Sequence, residues 1–363
     1  MVDDEGLPEG IDEGWVNGAL TDAGVARGAT VTSVQLRGWI GTGQAARTAR
    51  LDLRWDRPDD RPSTVVVKLP SSDPTTRSVL FATGSYLKEW VFYDQLAATV
   101  EARVPACYRA EWRPQLQEFV LLMEDVVDAR QGDQLVGLGP DEVVLALEQA
   151  VALHAPRWAD PTLDSAFQVD GVPVPSMVEA APLLQAYYQG SVPGFLDRLG
   201  DRLDAEVVRT IEDFGPRIAA WLNVDGIPRS LAHHDLRADN LLFGTSEGAD
   251  PLVVVDWQTV GAAPAANDVA YLIATSFAER AARAAAERDL LEEYRDRMTA
   301  AGVELGSAEL WHQYRHCSLY GLLITVIATL QAEQTERGDA ALSAMAQRIG
   351  WQAIDLDAMA LVA

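Results

Sequence analysis

The sequence predicts an α+β protein of two lobes, a small strand-rich one followed by a larger helical one. Three observations predict it. Residues 31–124 hold segments that alternate or are β-branched, VTSVQLRGW, RTARLDLRW, TVVVKLP and EFVLLME, and such segments read as strands. After VVDARQGDQ the composition turns helical almost to the end, interrupted by one β-like stretch over 231–257. The length, 363 residues, exceeds what one simple core needs and suits two lobes.

Residues 1–24 are rich in acids and glycine and read as an extended or short helical leader. The first two alternating runs flank GWIGTGQAA, so they form a hairpin whose turn carries Gly38, Gly41 and Gly43. After the polar DRPDDRPS comes TVVVKLP, a strand that ends at Lys68 and is stopped by Pro70. Leu80, Tyr86, Leu87, Trp90, Val91 and Leu96 share one broad face at helical spacing, which predicts a helix over 77–98. Strands follow at 104–112 and 118–124, the second an apolar run typical of a central strand. A short linker near 124–130 then divides the chain into lobes at 1–124 and 125–363.

Hydrophobic content of 48% with 23% charged residues describes a globular chain. A formal charge of -25 excludes nucleic acid as a natural partner and disfavours an anionic membrane surface. Charge this diffuse serves solubility, or steers a cationic substrate. Cys107 and Cys317 lack CxxC spacing, so neither a disulfide framework nor a zinc site is expected. The beginning MVDDEGLPEG has no apolar run, and the most apolar stretch, 317–330, is shorter than the ~18 residues of a membrane span. The expectation is a soluble cytoplasmic protein with no membrane partner.

The sharpest feature is His233-His234-Asp235-Leu236-Arg237-Ala238-Asp239-Asn240, followed by LVVVDWQ with Asp256 21 positions after Asp235. Phosphoryl transfer asks little of a protein: a carboxylate to orient the attacking hydroxyl and take its proton, oxygen ligands for Mg²⁺, and cations near the transferred charge. Asp235 suits the first role, and Asn240 with Asp256 the second. Upstream, the glycines of the hairpin let backbone approach phosphates, and Lys68 can be aimed at them by Glu89 on the following helix. Each part has a bland reading, a mere turn or an edge lysine. Their coincidence in one chain carries the argument.

At this point LAHHDLRADNLLFG with VVVDWQ resembles the phosphotransferase superfamily of aminoglycoside and choline kinases. Within it, VVVKLPSSDPTTRSVL, YLKEWVFYDQL, FVLLMEDV and ARQGDQLVG resemble the ecdysteroid-kinase-like branch, over about residues 30 to 330. The resemblance implies a protein-kinase-like bilobal fold and the use of ATP and Mg²⁺. It implies Asp235 as catalytic base, Asn240 and Asp256 as metal ligands, and Lys68, Glu89, Gly41 and Gly43 around the phosphates. It sets Met123 behind the adenine, with the Glu124 carbonyl and Val126 amide at its edge. Asp268, in AANDVAYL, resembles the acidic residue that anchors the catalytic loop.

Two departures stand out. His234 occupies a position where small-molecule kinases usually carry Gly; its ring either packs or reaches the substrate. Arg237 lies where protein kinases place a lysine that touches the γ-phosphate, so it is a catalytic candidate, the alternative being a salt bridge. His233 is expected to pack and bond backbone, and His154 to close a helix before Pro156. The implied reaction is phosphorylation of a hydroxyl on a small molecule. The branch suggests a bulky neutral acceptor such as a steroid or other natural product, the wider superfamily an aminoglycoside or choline-type amine. A nucleotide-binding pseudokinase is the alternative of another class.

Overall fold

The computed structural model describes residues 6–41, 45–57, 60–169, 174–224 and 226–362. Contacts divide the chain into two compact units. One runs to Ala98 and includes Val104–Val127; the other holds Thr99–Arg103, Asp128–Gln168 and the chain from residue 174 onward.

The first unit is an antiparallel sheet of β1 (Val31–Ile40), β2 (Ala46–Trp55), β3 (Thr64–Pro70), β4 (Cys107–Arg113) and β5 (Glu118–Glu124), in the order β1-β2-β3-β5-β4. Alternation assigns the faces. Leu51, Leu53, Val65, Val67, Val120 and Leu122 line one face, against Val16, Ala19 and Leu20 of helix α1 (Glu13–Asp22). Asp12 caps that helix by accepting the Trp15 amide at 2.7 Å, so the acidic leader is a docked helix. Val66, Phe119, Leu121 and Met123 line the opposite face, with Tyr86.

The helix expected over 77–98 is broken. It forms as α2 (Pro74–Ala82) and α3 (Ser85–Val91), the latter running on into a π turn, Phe92–Leu96. Gly84 stands between them at φ 77, a left-handed conformation that ends one helix and re-aims the next.

The second unit contains α4 (Pro140–His154), α5 (Leu163–Ala166), α6 (Ala181–Leu199), α7 (Ala205–Phe214), α8 (Ile218–Leu222), α9 (Ala266–Ser276), α10 (Arg280–Ala300), α11 (Ser307–Cys317), α12 (Tyr320–Gln331) and α13 (Glu336–Asp355). Two small antiparallel sheets interrupt them. β6 (Ala129–Gln131), β8 (Leu241–Gly244) and β9 (Leu252–Val254) form one, in the order β6-β8-β9; β7 (Arg229–Ala232) and β10 (Gly261–Pro264) form the other. Every residue of α9 is buried, the polar Asn267, Asp268, Thr275 and Ser276 included. The core around it draws on Phe195, Ile211, Phe214, Trp221, Tyr320, Leu323 and Ile349.

Polar anchors tie the loops of this unit down. Arg348 of α13, 6% exposed, donates to the carbonyls of Gln134 and Thr275 through Nη1 and of Leu135 through Nη2. Among the described residues no helix is long and apolar enough to cross a membrane.

Candidate active site

The site grows from the end of β7. Past Ala232 the chain leaves the ladder, and Asp268 of α9 takes over its amides: Oδ2 accepts from His233 N at 2.6 Å, and Oδ1 from His234 N at 2.8 Å. Thr259 donates to the His233 carbonyl at 2.8 Å and Tyr320 to that of His234 at 2.7 Å. His233 Nδ1 accepts from Asp235 N, so its proton sits on Nε2, which donates to the Val255 carbonyl at 3.1 Å. The 3₁₀ turn Ala238–Asn240 then leads into β8. Val255 N donates back to the Asn240 carbonyl at 3.0 Å, which brings the residue before Asp256 to the end of the same loop.

The Asp235 side chain keeps 17% of its surface exposed and is held on both oxygens. Oδ1 accepts from Arg237 Nε at 2.9 Å and from the Tyr271 hydroxyl at 3.2 Å; Oδ2 accepts from Asn240 Nδ2 at 2.8 Å. Burial pushes its carboxyl above the ordinary value, Arg237 and His233 oppose that, and the Asp256 charge adds to it.

Asn240 spends its amide nitrogen on Asp235, on the backbone carbonyl as well as Oδ2, each at 2.8 Å. Its side-chain oxygen is then the atom available to a cation. With the Asp256 carboxylate this makes a hard-oxygen pair, which fits Mg²⁺, an ion that keeps several waters and completes its shell on phosphates. Among the described residues there is no group of three or more His, Cys, Asp or Glu fit to hold a metal. Asp256 adopts φ 69, and Gln258 Nε2 reaches its Oδ2 at 3.4 Å.

Arg237 bridges two acids of its own loop, Asp235 and, through Nη1 at 2.5 Å, Asp239. Of its two expected roles the geometry gives a salt bridge, made to the candidate base itself. Asp239 is fixed in turn by the Gln134 amide at 2.9 Å. His234 packs: its ring lies 5.4 Å from Tyr320, and Nδ1 donates to the Thr259 carbonyl at 2.9 Å.

His154 closes α4, as expected, and both of its ring nitrogens are satisfied. It is wholly buried; its Nε2 donates to Asp268 Oδ2 at 3.1 Å, and its Nδ1 accepts from the Tyr294 hydroxyl at 2.9 Å. Burial would raise the Asp268 carboxyl, but the hydrogen bond from His154 helps hold it below the usual range. Only the acid at 268 was legible in the sequence. The histidine and tyrosine that support it lie 114 positions before it and 26 after it, with no shared motif.

In the first unit, alternation along β3 puts Lys68 on the face of Val66, toward the side chains of α3, and Lys68 Nζ lies 2.6 Å from Glu89 Oε1. The carboxylate is 1% exposed and the lysine 11%, a buried pair. Gly41 follows β1 at φ 80, a conformation that favours glycine; Gly43 lies outside the described residues. Met123 and Glu124 end β5, and Val126 sits in the irregular segment beyond. The Glu124 amide donates to Ala106 O at 2.8 Å and its carboxylate accepts from Ala106 N at 3.0 Å. Arg50 meets Asp125 at 2.9 Å, a pair the motifs did not signal.

The model of the ecdysteroid kinase-like family matches residues 45–306. No curated protein matches the chain. Similar solved structures include the GDP complex of wild-type aminoglycoside 2'-phosphotransferase-IIIa, with a TM-score of 0.53, 16% identity and coverage of 93% of this chain and 99% of that one. Choline kinase from Cryptosporidium parvum gives a TM-score of 0.53 at 10% identity, covering 97% and 98%. An ethanolamine kinase from Plasmodium vivax gives 0.53 at 12%, covering 87% and 82%. At such identities the likeness is one of fold, a kinase-like one with a small antiparallel sheet and a helical C-terminal region. The family match spans well over half of the 363 residues, and the chain belongs to the ecdysteroid kinase-like family, whose membership together with this fold indicates a small-molecule phosphotransferase.

Proposed function

We propose that the protein transfers the γ-phosphate of ATP, with Mg²⁺, to a hydroxyl of a small molecule. The observation that carries this reading is the gathering of Asp235, Asn240 and Asp256 at one loop, with the Asp235 carboxylate fixed on both oxygens and part-exposed.

Asp235 orients the acceptor hydroxyl and takes its proton. A bond forms between the acceptor oxygen and the γ-phosphorus, the bond from that phosphorus to the bridging oxygen breaks, and ADP leaves with the electron pair. Asn240 and Asp256 hold Mg²⁺, which when bound neutralises charge on the phosphates. Lys68, aimed by Glu89, binds phosphate oxygens, supported by the hairpin backbone at Gly41 and Gly43. Met123, Glu124 and Val126 take the adenine. Arg237, freed from Asp235, meets the transferred group. The acceptor class favoured by the family is bulky and uncharged; an aminoglycoside or choline-type amine is the competing class.

The test is ADP release by the purified protein across a panel of hydroxylated metabolites, steroids and aminoglycosides. Asp235→Asn should keep MgATP affinity and lower turnover by roughly 10²–10⁴-fold. Asp256→Ala should abolish Mg²⁺-dependent nucleotide binding. One observation favours a second reading, a nucleotide-binding protein without transfer: Arg237 engages the candidate base directly. ATP bound without turnover on any acceptor, in wild type and Arg237→Ala alike, would select that reading.

A further inference from the structure

We propose that Tyr271 is a positioning residue for Asp235, the tether that fixes the carboxylate to the central helix of its unit. The proposal rests on the phosphotransferase reading of Asp235.

A tyrosine inside a helix buried on every side is commonly filler, but its hydroxyl needs a partner. Here the partner is Asp235 Oδ1, 36 positions away in the chain. The other side-chain donors to that carboxylate, Arg237 and Asn240, belong to the same loop as Asp235 and move with it. Tyr271 belongs to α9, three residues after Asp268, so both lie on one face of the helix. Asp268 holds the loop by its backbone, and Tyr271 holds the functional side chain.

The ring has little room to wander. Tyr320 packs edge-on at 6.0 Å and 82°. Behind it, α12 passes so near that a Cβ on Gly321 would stand 2.9 Å from Tyr271 Cδ2. Burial and the charge of Asp235 raise the phenol well above its ordinary value, so it stays a donor. The consequence is an assigned division of the carboxylate: Oδ1 belongs to Tyr271 and Arg237, Oδ2 to Asn240.

The test uses the full chain, MgATP and basal ADP release with water as acceptor. Tyr271→Phe keeps the ring and deletes the donor; kcat should fall about tenfold or more, the loss expected for one hydrogen bond to a charged group, with KM for ATP within about twofold. In an Asp235→Asn background the same change should alter the rate less than about twofold, since Tyr271 acts through that carboxylate. Gly321→Ala, whose methyl would meet Ile349 at 2.8 Å and the Tyr271 ring at 2.9 Å, displaces the ring without deleting the hydroxyl and should reproduce the kcat-only loss if Tyr271→Phe does not fold. An unchanged kcat, or equal losses in both backgrounds, overturns the proposal and leaves the phosphotransferase reading standing. If wild type releases no more ADP than Asp235→Asn, that reading fails and the proposal falls with it.

Discussion

Asn240 Nδ2 donates to Asp235 twice, to its backbone carbonyl and to Oδ2, so one amide shapes the loop with its nitrogen and keeps its oxygen for a ligand. Two substitutions separate these jobs. Asn240→Ala should raise the Mg²⁺ concentration needed for nucleotide binding by at least roughly 10-fold, the lower end of what even supporting residues of metal sites cost. Asn240→Asp keeps an oxygen ligand but sets a like charge against Asp235, so Mg²⁺ binding should survive while turnover is lost. Calorimetric titration beside a turnover assay reads both.

His234 sits at φ 68, where an L residue costs ~1–2 kcal/mol and glycine almost nothing. Its ring is 5% exposed and packs on Tyr320, and deleting a buried side chain of that size costs ~2–5 kcal/mol. Packing outweighs strain. His234→Gly is expected to destabilise the protein by about 2 kcal/mol in urea unfolding.

Arg348 satisfies three carbonyls that belong to the segment after β6 and to the end of α9. Arg348→Met fills similar space and strands the carbonyls of Gln134 and Leu135, at ~1–3 kcal/mol per buried acceptor, whereas that of Thr275 keeps the Gln134 side-chain amide at 3.0 Å. The expected loss is at least ~2 kcal/mol in urea unfolding. Faster proteolysis should appear around residues 131–138, because Gln134 and Leu135 would lose the anchor on their carbonyls.

His316 donates Nε2 to the Trp221 carbonyl at 3.1 Å and stacks on that indole, which donates back to the His316 carbonyl at 2.9 Å. Burial lowers its pKa from 6.5 to about 4. The unfolded chain therefore binds the proton first, and stability from this group is complete above about pH 6.5 and is lost as pH falls toward 4. The full loss is about 3 kcal/mol. His316→Gln keeps a donor without a titration, so its stability should fall less steeply over that interval in chemical unfolding at stepped pH.

The strands of the sheet were legible because alternation and β-branching are local. So was the loop motif, whose Asp235 and Asn240 stand five apart. Asp256 was legible from the apolar strand before it. What the sequence hid is tertiary. The break at Gly84 looked like continuous helical spacing, since one glycine in an amphipathic run does not announce its φ. β10 is GAAP, too short and alanine-rich to signal a strand, and forms because β7 offers it a ladder. Tyr271 and His154 read as ordinary helix residues; only their partners, set by how α4 and α9 pack, reveal what their polar atoms meet.

The anchor at Asp268 has a consequence for the growing chain. The loop it fastens is made first, yet its amides find their acceptor only when residue 268 has been added, and that acid gains its full support only with Tyr294. A fragment that stops short of α9 carries every residue of the His-His-Asp motif but lacks the acceptor for the amides of its two histidines. The working arrangement of this loop is therefore a late event in the making of the molecule, whatever order its strands assume.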